Sequence, residues 1–289
     1  MEIEKFLIRA GEKFRLKDHR TNETGDLVDK EKGKADLEKN VERLARLQDA
    51  LYAEDKQALL VIFQAMDAAG KDGAIEHVLT GINPQGVSVA SFKQPSDEEL
   101  DHDYLWRCAK ALPERGKIGI FNRSHYEEVL VVRVHDGILQ AQHLPDEIKN
   151  DKDIWKKRFR QIRDFETHLV ENGTRVIKFF LNVSKEEQKQ RFLARIDEKE
   201  KNWKFSMGDA KERAKWDEYM QAYEEAIAAT STEAAPWYVI PADKKWFARL
   251  AVSEAILRTM ESMAPKYPVV TEEHRRELLE ARKVLEAEN

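Results

Sequence analysis

The sequence predicts an α/β fold, a doubly wound sandwich with a central parallel sheet and helices on both faces. Three observations predict it. Ala58-Leu59-Leu60-Val61-Ile62-Phe63 is an unbroken apolar run with β-branched members, which suits a strand buried on both faces. Four further short apolar runs follow, at 87–92, 118–121, 176–181 and 237–240. Segments of helical periodicity separate them, and strand–helix alternation marks parallel sheets wrapped by helical crossovers.

Residues 9–34 are polar and irregular and read as a surface arm around Gly11, Gly25 and Gly33. Leu37, Val41, Leu44, Leu47 and Leu51 then recur at helical spacing, predicting an amphipathic helix over 35–54. After the strand at 58–63 come a helix over 71–81, the strand at 87–92, a helix over 97–112 and the strand at 118–121. Helices over 124–133 and 146–171 lead to the strand at 176–181. Helices over 184–200 and 209–229, the strand at 237–240 and a helix over 243–262 complete the pattern. Trp106, Trp155, Trp216 and Trp246 lie in helical patterns and read as core or interface anchors, and Cys108 as a small core residue. Thr271 to Asn289 reads as a separate charged helix, with Leu278, Leu279, Val284 and Leu285 on its apolar side.

Composition excludes several classes. One cysteine among 289 residues rules out an internally disulfide-stapled scaffold. No apolar run approaches the ~18 residues of a membrane span, and the polar Met1-Glu2-Ile3-Glu4-Lys5 start lacks a signal-peptide pattern. A cytoplasmic address is expected. The 49 Lys and Arg against 54 Asp and Glu leave a net charge of −5, which argues against a general nucleic-acid binder. The average hides a basic stretch: residues 149–215 hold 19 Lys and Arg against 12 Asp and Glu.

The first strand runs into Gln64-Ala65-Met66-Asp67-Ala68-Ala69-Gly70-Lys71-Asp72-Gly73 and then a helix, the setting of a phosphate-binding loop. Small residues let backbone N–H groups of Ala68, Ala69, Gly70, Lys71, Asp72 and Gly73 turn toward an anion, and the helix N-terminus adds partial positive charge. Lys71 would reach the phosphates as a point charge. The motif is incomplete: Ala65 stands at the first glycine position, and Asp72 stands where a hydroxyl would ligate magnesium. Asp67, inside the loop, can substitute as a carboxylate for a hard cation; a turn-stabilising role is the plainer alternative.

The strand at 118–121 ends in Asn122-Arg123-Ser124-His125-Tyr126-Glu127-Glu128. Ligands gather at the carboxyl ends of strands in open α/β sheets, so Asn122 and Arg123 would lie beside the loop, Arg123 as a planar clamp for a phosphoryl group. Glu127 and Glu128 suit either a helix start or a metal. His125 and His135 form no pair at ligand spacing and read as structural or solvated. In the basic stretch, Arg191 and Arg195 share a helix face, and Lys201-Asn202-Trp203-Lys204 follows as a cationic loop that could close over phosphates. A solvated helix face is the alternative there, since acids intersperse.

Met66 to Gly73, Phe121-Asn122-Arg123-Ser124-His125-Tyr126-Glu127, Trp203-Lys204-Phe205, Thr230-Ser231-Thr232 and Ala235-Pro236-Trp237-Tyr238-Val239-Ile240-Pro241-Ala242-Asp243 together resemble the second family of polyphosphate kinases, over roughly residues 5–268. The resemblance implies a three-layer α/β/α P-loop kinase fold, thymidylate-kinase-like, with a helical lid at about 185–215. It implies one kinase domain over 1–268 with an N-terminal arm at 1–34, and a C-terminal helical tail at 269–289. It implies magnesium-dependent phosphoryl transfer from inorganic polyphosphate to a nucleotide, with manganese as an alternative ion. Glu127 stands where members specific for one acceptor typically carry Asn. With Phe92-Lys93-Gln94-Pro95 and Val129-Leu130-Val131-Val132-Arg133-Val134-His135, it resembles the class that takes both AMP and ADP.

Carried over on these motifs, Asp67 and Glu127 are the metal and acceptor carboxylates, and Lys71, Asn122 and Arg123 act with them in catalysis. Arg191, Arg195, Lys201 and Lys204, with Lys93 and Arg133, are the cations toward polyphosphate or nucleotide. The implied partners are polyphosphate, AMP, ADP and ATP, with guanine nucleotides as further acceptors. A homo-oligomer, dimer or tetramer, is implied; nucleic acid and membrane are not. Two rivals stay open here: an ATP-dependent nucleoside monophosphate kinase, and a non-catalytic polyphosphate or nucleotide binder. A GTPase-like switch is weakened by the lack of an Asn-Lys-x-Asp motif.

Overall fold

The computed structural model describes residues 1–27 and 29–288, with the side chain of Lys204 outside that description. Six strands form one sheet: β1 (Leu7–Ile8), β2 (Ala58–Gln64), β3 (Val87–Ser91), β4 (Ile118–Asn122), β5 (Thr174–Asn182) and β6 (Trp237–Pro241), in the order β1-β6-β5-β2-β4-β3. β2 is central, parallel to β4 on one side and β5 on the other, and each of its residues is buried. Its unbroken apolar run is a direct result, because both faces are covered.

The sheet is parallel except at one edge. Leu7 and Ile8 pair antiparallel with Tyr238 and Trp237 of β6, a short edge strand added to the five strands the sequence predicts. Two residues are too few to show a strand period, and the antiparallel direction needs no helical crossover. The segment expected as a surface arm also behaves differently. Phe14 and Leu16 are buried in the core, joined by Ile3, Phe6 and Ile8 from before it. The Asn182 side chain donates to His19 O at 2.9 Å, and Asp243 N–H donates to Thr21 O at 3.0 Å. The segment straps the molecule rather than projecting from it.

Helix α1 (Lys30–Glu54) starts inside that segment, its first turn capped by the Asp29 carboxylate accepting from Glu31 N–H. Gly33 is therefore helical and not a loop glycine. A Cβ there would stand 2.6 Å from the Trp246 ring, so glycine is required where α1 crosses α12 (Lys245–Met263). α1, α2 (Lys71–Leu79) and α12 cover one face. α8 (Ile154–Glu171) and α11 (Trp216–Thr230) cover the other. α2 follows β2 on the first face and α8 follows β4 on the second, so a crevice opens between the carboxyl ends of β2 and β4.

Four expected helices are interrupted, the 209–229 segment by a 3-10 turn at Arg213–Lys215. The 97–112 segment divides into α3 (Asp97–Leu100) and α4 (Trp106–Lys110), with Ser96 and Glu99 closing a capping box. The 124–133 segment is a 3-10 helix over His125–Val129 and then α5 (Val131–Val134). Next come α6 (Asp136–Ala141) and α7 (Asp146–Lys149), the latter detached from α8. Beyond β5 lie α9 (Lys185–Asp197), α10 (Met207–Glu212) and, after α12, α13 (Glu272–Glu286). α13 buries none of its residues. Cys108 is fully buried, and burial pushes its thiol up to about 12, which suits an inert core residue. Among the described residues no helix is long and apolar enough to cross a membrane.

One buried polar network lies under the crevice. Lys178, in the middle of β5 and opposite Ile62 of β2, is 0% exposed. Its ammonium pairs with Glu166 of α8 and donates to Tyr126 Oη at 3.0 Å and Thr230 O at 2.8 Å. Tyr126 Oη donates to the other Glu166 oxygen at 2.9 Å. Burial and the Glu166 charge act in opposite directions on Lys178, and the net is a lowered ammonium pKa. Burial opposes ionisation of Glu166 as well, but Lys178 and His125 hold it below the usual glutamate value.

Candidate active site

The loop after β2 turns on two left-handed residues, Ala68 (φ 60°) and Gly70 (φ 109°). Ala65 is not among the left-handed residues, so the departure from glycine at the first motif position has no conformational cost there. Gly70 caps α2 with no side-chain acceptor, and Lys71, Asp72 and Gly73 in the first turn lack intrahelical partners by geometry. These amides and the helix dipole make an anion seat. Lys71 folds beneath the loop, donating from Nζ to Ala65 O at 2.8 Å. It is only 8% exposed. Burial pulls its pKa below the usual lysine value, with Asp67 pulling the other way.

Across the crevice, Arg123 adopts φ 65°, a conformation that non-glycine residues hold only under constraint. The constraint is visible. Arg123 N–H donates to Phe63 O at 3.0 Å. Next to it, Ser124 accepts from the buried Gln64 side chain at 3.2 Å and caps the following turn. His125 and Tyr126 lie buried against Glu166 and Lys178, so the network beneath anchors this turn. His125 is structural, as its sequence context indicated.

The turn aims Arg123 back at the loop. Its guanidinium donates to Asp67 Oδ1 at 2.9 Å and lies 3.5 Å from Glu127 Oε2. Two carboxylates from different strand ends thus meet on one cation. Burial works against the Arg123 charge, but Glu127 and Asp67 outweigh it and hold its pKa above the usual value. Burial raises the Glu127 carboxyl above the usual glutamate value, against the pull of Arg123 and Lys71. Asn122 donates to Asp72 Oδ1 at 2.7 Å, a tie between the end of β4 and the first turn of α2.

Other expected residues are placed differently. Arg191, expected to follow a phosphate chain, is 7% exposed and donates to backbone carbonyls of the loop. Arg133 pairs with Glu225 and stands over the Trp155 ring. Lys93 is exposed, with its carbonyl accepting from Arg107 at 2.8 Å. Arg195 lies 5.7 Å from the Phe192 ring centroid, and the exposed Lys201 pairs with Glu198. The Lys204 side chain lies outside the described residues.

Four residues of the site carry no motif signal. Gln188 donates to Asp67 O at 3.0 Å. Tyr219 and Tyr223 are buried on α11, where the charges of Glu127 and Asp67 act on both phenols, and Glu212 is bonded to Tyr219. Burial first, and then Glu212 or Glu127, raises both phenols. Tyr219 donates to Glu212 at 2.7 Å, and His135 lies 2.9 Å from the same carboxylate. Only the four-residue spacing of Tyr219 and Tyr223 on α11 could have hinted at them. A cavity of about 670 Å³ flanks the turn, lined in part by Tyr104, Arg107, Ser124, His125, Glu128 and Arg158.

No group of three or more His, Cys, Asp or Glu able to cage a metal occurs among the described residues. Asp67 and Glu127 nonetheless fit a divalent ion shared with a substrate, because magnesium-type sites use one or two carboxylates and complete their shell with phosphates and water. A strand–loop–helix anion seat, a buried lysine, an arginine clamp and two carboxylates at a switch point define a P-loop phosphotransferase.

Comparison narrows the class. The sequence profile of Polyphosphate kinase 2 (PPK2) matches residues 27–268, and the chain belongs to that family. It is 54% identical over 285 residues to the ADP-polyphosphate phosphotransferase of Rhodopseudomonas palustris, covering 99% of each chain. It is 51% identical over 226 residues to the AMP/ADP-polyphosphate phosphotransferase of Meiothermus ruber, covering 78% of this chain and 80% of that one. The crystal structure of polyphosphate kinase 2 from Arthrobacter aurescens TC1 superposes with a TM-score of 0.86 at 42% identity, over 96% of each chain.

Proposed function

We propose that this chain transfers the terminal phosphoryl group of inorganic polyphosphate to AMP and ADP, forming ADP and ATP. Magnesium, or manganese in its place, is the divalent ion. The observation that carries the reading is the convergence of Asp67 and Glu127 on Arg123 above the loop that holds Lys71. Family membership and the names of the relatives support polyphosphate as donor.

Phosphoryl transfer asks for positioning and charge neutralisation more than for a protein nucleophile. The acceptor phosphate is itself the attacking group and is largely ionised at neutral pH, so no general base is needed. The loop amides and Lys71 bind the donor's terminal phosphates; anionic oxygens beside Lys71 favour its charged form against the cost of burial. Arg123, released from Asp67, clamps the transferring group. Asp67 and Glu127 would hold the metal, which supplies Lewis-acid neutralisation of phosphate oxygens when bound. Glu127 as a carboxylate, where single-acceptor members carry an amide, supports use of both AMP and ADP. Residues 185–215 form the lid, and Arg195, Lys201 and Lys204 steer the polyanion. We further assign the chain to the cytoplasm, as a homo-oligomer with guanine nucleotides among its acceptors.

The test supplies polyphosphate with AMP or with ADP, separately and without ATP, and resolves products by chromatography. ATP from ADP, and both ADP and ATP from AMP, are expected. Inert AMP would restrict the acceptor to diphosphates. Product formation only with added ATP as donor would favour a nucleoside monophosphate kinase instead.

A further inference from the structure

We propose that Gln188 and Arg191, three residues apart on α9, are positioning residues that hold the phosphate loop in its anion-binding conformation. We propose also that Arg213, at the far end of the 185–215 segment, orients this brace. The proposal rests on the polyphosphate-transfer reading for its assay. Gln188 donates to Asp67 O at 3.0 Å. Arg191 Nη1 donates to Ala68 O at 3.0 Å and Ala69 O at 2.6 Å. Three consecutive loop carbonyls are thereby drawn toward one helix face, which the i, i+3 spacing supplies. In a planar trans peptide the N–H points opposite to the C=O. Fixing carbonyls 67–69 on α9 therefore turns the N–H groups of Ala68 and Gly70 away from it, as an anion seat requires. Ala69 N–H instead closes a turn on Met66 O at 3.2 Å. Ala68 sits at φ 60°, which an alanine does not hold unaided.

The rest of the guanidinium is also committed. Nη2 donates to Ala242 O at 2.6 Å and Asp243 O at 3.1 Å, and Nε to Glu187 at 2.8 Å. Five N–H donors meet five acceptors, which leaves no donor for a phosphate in this conformation. Lysine, with three donors on one atom, cannot span the loop and the 242–243 turn together. Gln188 is 1% exposed, and its amide is oriented: Oε1 accepts from Arg213 Nη1 at 3.0 Å, which turns Nε2 to Asp67 O. Arg213 also donates to Lys185 O at the start of α9. The far end of that segment thus touches the residue that sets Asp67.

The experiment compares Arg191→Lys, Arg191→Ala and Gln188→Met with the unmodified chain. Polyphosphate-driven ATP formation is measured over a range of polyphosphate concentrations, with thermal melts to confirm folding. Absence of turnover in the unmodified chain would overturn the functional reading and leaves the brace to be judged by the melts and by proteolysis of the loop. The brace sets the geometry of the loop and leaves no donor for phosphate, so its loss should lower kcat and spare KM. Arg191→Lys should lose about a hundredfold in kcat with the polyphosphate KM little changed, and Gln188→Met about tenfold in the same pattern. Guanidinium ion added to Arg191→Ala should restore activity, and methylammonium should not. Retained kcat in Arg191→Lys with a raised KM, or equal rescue by methylammonium, would make Arg191 a phosphate cation and overturn the brace. Unaltered kinetics in Gln188→Met would likewise remove Gln188 from it.

Discussion

The cations packed against the phosphate loop and those of the turn at Lys199–Lys204 are held in opposite ways. Lys71 and Arg191 are buried and bonded to main-chain carbonyls of the loop. In that turn, Lys201 is exposed and pairs with Glu198 just before it, and Trp203 is 79% exposed. Buried cations with fixed partners shape a site. Exposed pairs contribute only about 0–1 kcal/mol each, so a polyanion can replace the partner at little cost. The basic balance of residues 149–215 is thus two populations. Arg158, Lys178 and Arg191 are internal, and only the remainder is available to a ligand.

Four substitutions would break or sharpen this contrast. Lys71→Ala removes the cation under the loop and should reduce polyphosphate-driven ATP formation by about a thousandfold, with circular dichroism unchanged. Near-normal turnover would end the loop's catalytic assignment. Lys178→Met leaves Glu166 charged and without its cation, and should cost about 3–5 kcal/mol of stability, read by chemical denaturation.

Glu127→Gln should cut AMP and ADP phosphorylation about tenfold. Its stability effect has the opposite sign. The folded chain holds the Glu127 proton more tightly than the unfolded chain, because its carboxyl is raised. Ionised Glu127 therefore costs stability above that pKa, and the cost vanishes as the pH falls through it. The variant should melt higher than the parent at neutral pH and lose the acid limb of kcat/KM that Glu127 imposes. An unchanged limb would assign that titration to another group. Lys201→Ala should show the smallest effect, a rise of about two- to fivefold in polyphosphate KM that shrinks with added salt, and no change in melting.

The centre of the fold was legible because it is regular. β2 announces itself as the six-residue apolar run at 58–63, to which the structure adds Gln64, and small residues plus Lys71 announce the loop after it. What escaped depends on contacts distant in sequence. The start of α1 at Lys30 precedes any apolar periodicity and is set by Asp29 as a cap. The 97–112 segment breaks at Asp101-His102-Asp103, where Asp103 accepts from Leu105 N–H to open a new helix. The pairing of Asp67 with Arg123 was legible as proximity, from the rule for strand ends. Arg191 was not: an arginine on an amphipathic helix shows its charge in the sequence, but whether it faces solvent or a loop carbonyl is decided by where α9 packs.

β1 brings in the order of events. Leu7 and Ile8 are made long before their partners, Tyr238 and Trp237. During synthesis these two residues wait for almost the whole kinase chain before they can pair, and the outer edge of β6 stays open to other strands until they do. The N-terminal strap is therefore a closing latch on assembly. A chain shortened at its start would keep every residue of the crevice and still expose the sheet edge on which nascent copies could join.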